Sequence, residues 1–124
     1  MSLQAETTKV EPDIVVVHLS GVMTLGEIED LVSFVRDLLD RGEKKLIFDL
    51  SGIRRIDSVG GMTMVRCFFA AKAAGGELRF ASAGANVIRL FKSTHLDTLL
   101  PFDPTVAAAC EHFTVGPKAD EHTA

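Results

Sequence analysis

The chain has 124 residues, of which 47% are hydrophobic and 24% charged, and its formal net charge is −4. This length suits one globular domain and is too short for two. No apolar run approaches the ~20 residues of a membrane helix, and the first residues lack the pattern of a secretion signal. The acidic balance argues against a nucleic-acid partner, and Arg54-Arg55 is interpreted as solvated surface. We therefore expect a cytoplasmic domain without membrane insertion.

The cysteines and histidines form no metal-ligand pattern. Cys67 and Cys110 are far apart in the chain, and each falls on the apolar side of a predicted helix, so we expect buried, reduced thiols. The four histidines match no zinc motif. Walker A and G-x-G-x-x-G sequences are also missing, so the sequence predicts neither a metal nor a cofactor.

The first half of the chain predicts two strands and a helix. Gln4 to Val10 is typical of a weak, polar edge strand, whereas Ile14 to Leu19 is apolar on both pleat faces and suits a central strand. His18, within that strand, is interpreted as a core or rim histidine whose polar atoms are satisfied. Thr24 to Glu27 fits a capping box, and the helix that follows should end at Arg41-Gly42.

The middle of the chain predicts a strand, a helix and another strand. Lys45 to Leu50 is an apolar, buried-type strand, and Ser51 to Ile56 is expected to be a short connection. A second helix should begin at Asp57 or Ser58 and run to about Ala74, where two glycines end it. Leu78 to Ala81 is a further buried-type strand.

The last part of the chain predicts two helices around a short strand. Asn86 is expected to cap one helix, and Leu99 to Phe102 to form the strand. Asp103-Pro104 suits the start of the final helix. We expect one domain over residues 4–113 and a flexible tail over 114–124. The alternation predicts an α/β fold, with about four helices packed on a mixed, mostly parallel sheet of four to five strands.

The segment Ile56-Asp57-Ser58-Val59-Gly60-Gly61, at the junction of the middle strand and the second helix, resembles the signature of a STAS domain. Leu19-Ser20-Gly21, Gly75-Gly76 and the run from Val87 to Phe91 add to the resemblance, which covers about Gln4 to Phe113. The chain is thereby similar to anti-sigma factor antagonists, whose signature reads Asp-Ser-Ser-Gly.

The resemblance implies a regulatory site. Ser58 matches the serine that is phosphorylated in this family, Asp57 and Gly60 match its neighbours, and Val59 replaces the second serine. The family often has Gly-Glu-Leu-Asp where this chain has Gly21-Val22-Met23-Thr24, in a loop near the switch serine.

The partner surface is therefore expected to contain Met23 and Thr24 together with Asp57, Ser58, Val59, Gly60 and Gly61. The implied partner is an anti-sigma factor serine kinase using ATP, with a serine phosphatase as a second candidate.

The residues themselves allow further interpretations. In any function the Ser58 hydroxyl or the Asp57 carboxylate can cap the helix, and the two following glycines leave room for a close approach. A non-catalytic scaffold, as in stressosomes, or an accessory subunit of a lipid-transporting ABC system would use the same fold. A serine hydrolase is a remote alternative: Ile56 stands where a nucleophile elbow needs glycine, and His95 and His112 suit helix C-termini. We expect that the protein is not an enzyme.

Overall fold

The computed structural model describes residues 3–24 and 28–121, which form five strands and four helices. The strands are β1 (Leu3–Val10), β2 (Ile14–Met23), β3 (Lys45–Ile56), β4 (Glu77–Ala81) and β5 (Phe102–Asp103). The helices are α1 (Ile28–Asp40), α2 (Ser58–Ala73), α3 (Ala85–Ser93) and α4 (Val106–Glu121). The strands lie in the order β1-β2-β3-β4-β5, with β1 antiparallel to β2 and the other neighbours parallel. The predicted α/β fold is confirmed.

Helices cover both faces of the sheet because β2 and β3 are apolar on both sides of the pleat. The larger core cluster joins one face to residues of α1, α2 and α3, with Phe48 and Phe80 fully buried and in edge-to-face contact. On the opposite face, Ile14, Val16 and Ile47 pack against Ala109 of α4. Ser58, at the start of α2, therefore belongs to the three-helix side of the sheet.

The predicted connection over residues 51–56 is wrong, because β3 continues to Ile56. Its second half pairs with the end of β2 through two register shifts, and Met23 lies opposite Ile56. Gly52 permits this course, since a Cβ there would stand 2.8 Å from the carbonyl oxygen of Leu19. The exposed polar residues of this segment hid the extended conformation from a pattern based on hydrophobicity. The extension carries the chain directly to Asp57.

Capping residues were predicted at the starts of both α1 and α3. The capping box at the start of α1 falls largely on residues 25–27, outside the described residues; the predicted end of α1 is confirmed, with Gly42 at φ 94°. Asn86 is not the cap of α3, because the helix begins at Ala85 after Gly84. The Asn86 side chain donates instead to the carbonyl oxygen of Arg54, at 3.1 Å. Asn86 thus ties α3 to the end of β3.

The start of α4 also differs from the prediction. Asp103 ends β5 rather than capping a helix, and its buried carboxylate accepts from Arg79 Nε at 2.7 Å and lies 3.1 Å from His112 Nε2. The Thr105 hydroxyl oxygen accepts from the Ala108 backbone N–H instead. The predicted strand over 99–102 is correspondingly displaced toward the carboxyl end of the chain. An ion pair inside the sheet was therefore mistaken for a helix cap.

The last helix runs past the predicted domain boundary. Residues 114–121, expected to be tail, continue α4 to Glu121. Pro117 lies within this helix and has no N–H to donate, so the helix continues there with one backbone hydrogen bond fewer. Residues 122–124 lie outside the described part of the chain, and the flexibility of the tail stays a prediction.

His18 is a rim histidine with satisfied nitrogens, as predicted. Its Nδ1 lies 2.7 Å from Asp49 Oδ2 and its Nε2 lies 3.0 Å from the Thr8 hydroxyl, so one side chain links β1, β2 and β3. Ser51 donates to the other Asp49 oxygen through both its backbone N–H and its hydroxyl. Burial alone would raise the pKa of Asp49, but the hydrogen bonds from His18 and Ser51 outweigh it and hold the pKa below its ordinary value.

Both cysteines are free thiols, and the predicted burial is confirmed for Cys67 and wrong for Cys110. Cys67 is buried in the core, and this burial raises the pKa of its thiol to about 12; Cys110 is half-buried. Within the described residues, no cluster of histidine, cysteine and acidic side chains could hold a metal ion. Nor is any helix in that part of the chain long and apolar enough to cross a membrane.

Candidate functional site

Ser58 is the first residue of α2, and a single residue separates it from the end of β3. That residue, Asp57, is extended and caps the helix, because its Oδ1 accepts from the Gly60 N–H at 2.9 Å. The exposed hydroxyl of Ser58 makes no hydrogen bond to another described residue. The cap therefore belongs to Asp57, and the Ser58 hydroxyl remains available to a reagent or a partner.

The end of β2 fixes where α2 begins. The Asp57 N–H donates to the carbonyl oxygen of Met23 at 3.3 Å. A Cβ at Gly60 would collide with that same oxygen, so glycine is required there by close packing. The Met23 side chain is buried in the core. Met23, predicted as part of the partner surface, thus positions the start of α2 through its backbone, while the half-buried Thr24 is the neighbour with a side chain at the surface.

Gly60 and Gly61 are both buried, and their missing side chains face into the protein. A Cβ on Gly61 would lie 3.2 Å from Cδ2 of Leu90 in α3. The expected reason for these glycines, close approach of a partner, is therefore replaced by an internal one: they let α2 pack on β2 and α3. The exposed surface at the start of α2, called the corner below, is formed by Ser58, Val59 and Met62. Val59 is 37% exposed and Met62 is 51% exposed.

Two cavities flank the start of α2, and sequence reasoning found neither. An apolar cavity of about 160 Å³ opens between α2 and α3, lined by Ser58, Gly61, Met62, Leu90, Thr94 and Leu96. On the other side a polar cavity of about 290 Å³ is lined by Thr24, Arg54, Arg55, Ile56, Asp57 and Asn86. Their linings come from segments far apart in the chain, so local patterns carried no signal of them. A prediction that residues 51–56 are extended would have placed Arg54 and Arg55 at this corner.

The histidines considered for a hydrolase are not assembled with Ser58. His112 lies in α4 and pairs with Asp103, on the face of the sheet opposite α2. His95 is exposed at the end of α3, with φ 61°, and its side chain makes no hydrogen bond to another described residue. A serine, a histidine and a carboxylate are thus not brought together around Ser58 in the described part of the chain.

The family model of the STAS domain matches residues 6–109. The chain therefore belongs to the STAS domain family, and the resemblance seen in its sequence is confirmed.

Solved structures with this fold include anti-sigma factor antagonists. One from Mycobacterium paratuberculosis has 21% sequence identity and a TM-score of 0.77, with 88% of this chain and 92% of that chain covered. A protein from Thermotoga maritima, proposed to be an anti-sigma factor antagonist, has 23% identity and a TM-score of 0.79, covering 87% of this chain and 92% of that chain.

The anti-sigma factor antagonist SpoIIAA in its unphosphorylated form has 16% identity and a TM-score of 0.74, with 90% of this chain and 96% of that chain covered. SpoIIAA, a cell fate determinant of Bacillus, has also been solved in a phosphorylated form, with a TM-score of 0.62 and 15% identity over 82% of this chain and 92% of that chain. At these identities the similarity establishes a shared fold.

Proposed function

We propose that this protein is an anti-sigma factor antagonist, which binds an anti-sigma factor serine kinase in the cytoplasm and is released when the kinase phosphorylates Ser58. The unmodified protein would sequester the kinase and so free a sigma factor for transcription. The observation that carries the proposal is the exposed Ser58 hydroxyl, left unbonded among the described residues because Asp57 supplies the helix cap. A serine phosphatase would restore the unmodified form.

The surroundings of Ser58 suit a protein partner. Val59 and Met62 expose apolar surface beside it, and the apolar cavity between α2 and α3 opens next to its side chain. An apolar patch that includes a cavity offers an anchor for a partner side chain. A kinase that covers this patch would also have access to the hydroxyl that it phosphorylates. We therefore assign the corner a role in binding rather than in catalysis.

The same location suits a phosphate. The start of a helix carries a partial positive charge and unpaired N–H groups, so phosphorylation there need not unfold the domain. A phosphate adds about −1.5 to −2 charges at this corner. In a covered interface an unpaired charge costs ~2–5 kcal/mol, which corresponds to a loss of affinity of about 30- to several-thousand-fold. One modification would therefore dissociate the complex.

The test is intact-mass analysis after incubation with ATP and each candidate anti-sigma kinase from the same genome. We expect one phosphate on the wild type and on Ser33→Ala, which removes an exposed serine of α1, and none on Ser58→Ala. Binding of the same kinase should weaken at least 30-fold for Ser58→Asp.

Two outcomes would overturn the proposal. Unchanged affinity of Ser58→Asp for the kinase would refute release by negative charge. A folded wild type that neither binds nor is phosphorylated by any cognate kinase would favour a STAS scaffold or a transport accessory subunit.

A further inference from the structure

A second feature of the corner is its pair of adjacent arginines. Arg54 and Arg55 are both exposed, and both line the polar cavity of about 290 Å³ beside the start of α2. Neither guanidinium has an ion-pair partner among the described residues. Arg79 in β4, by contrast, is paired with Glu77 and Asp103. The described part of the chain thus leaves two positive charges available beside Ser58.

The backbone that carries these arginines is held in place. Arg55 lies opposite Val22 in the parallel pairing of β2 and β3, and the Arg54 carbonyl oxygen accepts from the Asn86 side chain. An arginine on a fixed strand loses less freedom on binding than one on a loop. The backbone positions from which the two arginine side chains reach the cavity are therefore fixed.

The charge balance in the cavity favours an anion. Among the described residues of the lining Asp57 is the one that is acidic, and its carboxylate is already engaged in capping α2. Thr24 and Asn86 add neutral polar groups. Guanidinium groups bind carboxylates through paired, charge-assisted hydrogen bonds. The cavity therefore offers an acidic side chain two positive charges and polar neighbours, on a protein whose net charge is −4.

We propose that the cavity binds an aspartate or glutamate side chain of the anti-sigma factor kinase that covers Ser58. This inference rests on the proposed function and adds the chemistry by which the partner is recognised. The cavity is continuous with the proposed interface, because Asp57 lines it and directly precedes Ser58. Two arginines in one cavity are too small a basic surface for a nucleic acid, which needs an extended one. Charge complementarity of this kind selects among partners and accelerates association.

The test measures affinity for the cognate kinase in wild type and in Arg54→Glu/Arg55→Glu. We expect binding about 10- to 100-fold weaker in the double variant, and a steep loss of affinity with salt in the wild type that the variant lacks. Arg41→Glu is the matched control: this exposed arginine follows α1, at the opposite end of the sheet, and should bind as the wild type does. Arg54→Gln/Arg55→Gln serves if charge reversal destabilises the domain, which thermal unfolding would reveal.

A charge exchange identifies the partner residue. Replacing the responsible acidic residue of the kinase with arginine should restore binding to Arg54→Glu/Arg55→Glu. Equal affinity of wild type and double variant, with Ser58 still phosphorylated, would refute the acidic contact and leave the proposed function intact. If the wild type itself binds no cognate kinase, the proposed function fails and this inference fails with it.

Discussion

Replacing Gly60 with alanine tests how closely α2 packs on the end of β2. The added Cβ would collide with the Met23 carbonyl oxygen and would stand 3.0 Å from Ile56 Cγ1. Overpacking costs up to ~3 kcal/mol, and the upper value applies because the obstacle is backbone that cannot rotate away. Alanine recovers ~1 kcal/mol of helix propensity. We therefore expect a net loss of about 2 kcal/mol in the free energy of unfolding, or roughly 8 °C in Tm.

Gly61→Ala is the matched control, since it adds the same methyl group one residue later in the same helix. Its Cβ would be tight only against the end of the Leu90 side chain, at 3.2 Å, which a small rotation relieves, and would lie at an ordinary contact distance of 3.8 Å from the Phe91 ring. We expect this variant to unfold within about 1 kcal/mol of the wild type. Urea unfolding followed by circular dichroism measures both. Equal destabilisation of the two variants would contradict the close contact between Gly60 and Met23.

Three further predictions concern the cap, the rim and the thiols. Asp57→Ala removes the acceptor for the Gly60 N–H and should cost about 1 kcal/mol in urea unfolding, whereas Asp57→Asn should recover most of it. Asp49→Asn should destabilise the domain by about 1 kcal/mol at neutral pH. Because the folded-state pKa of Asp49 is lowered, the difference in stability from wild type should shrink as the pH falls through the acid range below its ordinary pKa. A pH-independent difference would contradict the lowered pKa of Asp49. At pH 8 a thiol reagent should modify the half-buried Cys110 in the native protein. Cys67, whose pKa is raised to about 12, should react only after unfolding, and mass analysis of a Cys110→Ser variant would check this.

The core of the fold could be predicted from the sequence because its strands are apolar on both faces. Ile14 to Leu19 and Lys45 to Leu50 satisfy that pattern, and the structure places both in the centre of the sheet. Hydrophobicity marks where a strand is covered by helices. It does not mark where the strand leaves that cover, so the extensions of β2 and β3 toward Met23 and Ile56 were missed.

The candidate site could be predicted only in part, for the same reason. A short motif with its cap, Asp57-Ser58, is local and was recognised from residue order. The need for glycine at position 60 comes from a carbonyl group 37 residues earlier in the chain, and the role of Asp103 as an ion-pair partner depends on Arg79 in the neighbouring strand. Such contacts are set by tertiary pairing, which local sequence patterns do not encode.

The contact between Met23 and the start of α2 is made by a main-chain carbonyl group, and this has an evolutionary consequence. Substitution of Val22 or Thr24 changes what the corner presents, yet it leaves in place the oxygen that fixes Asp57 and Gly60. Selection can therefore alter the exposed side chains beside Ser58 without disturbing the geometry at the start of α2. With Ser58 as the phosphoacceptor of the proposed function, paralogues in one cell would diverge in this way into separate signalling routes, insulated from one another by a few surface side chains.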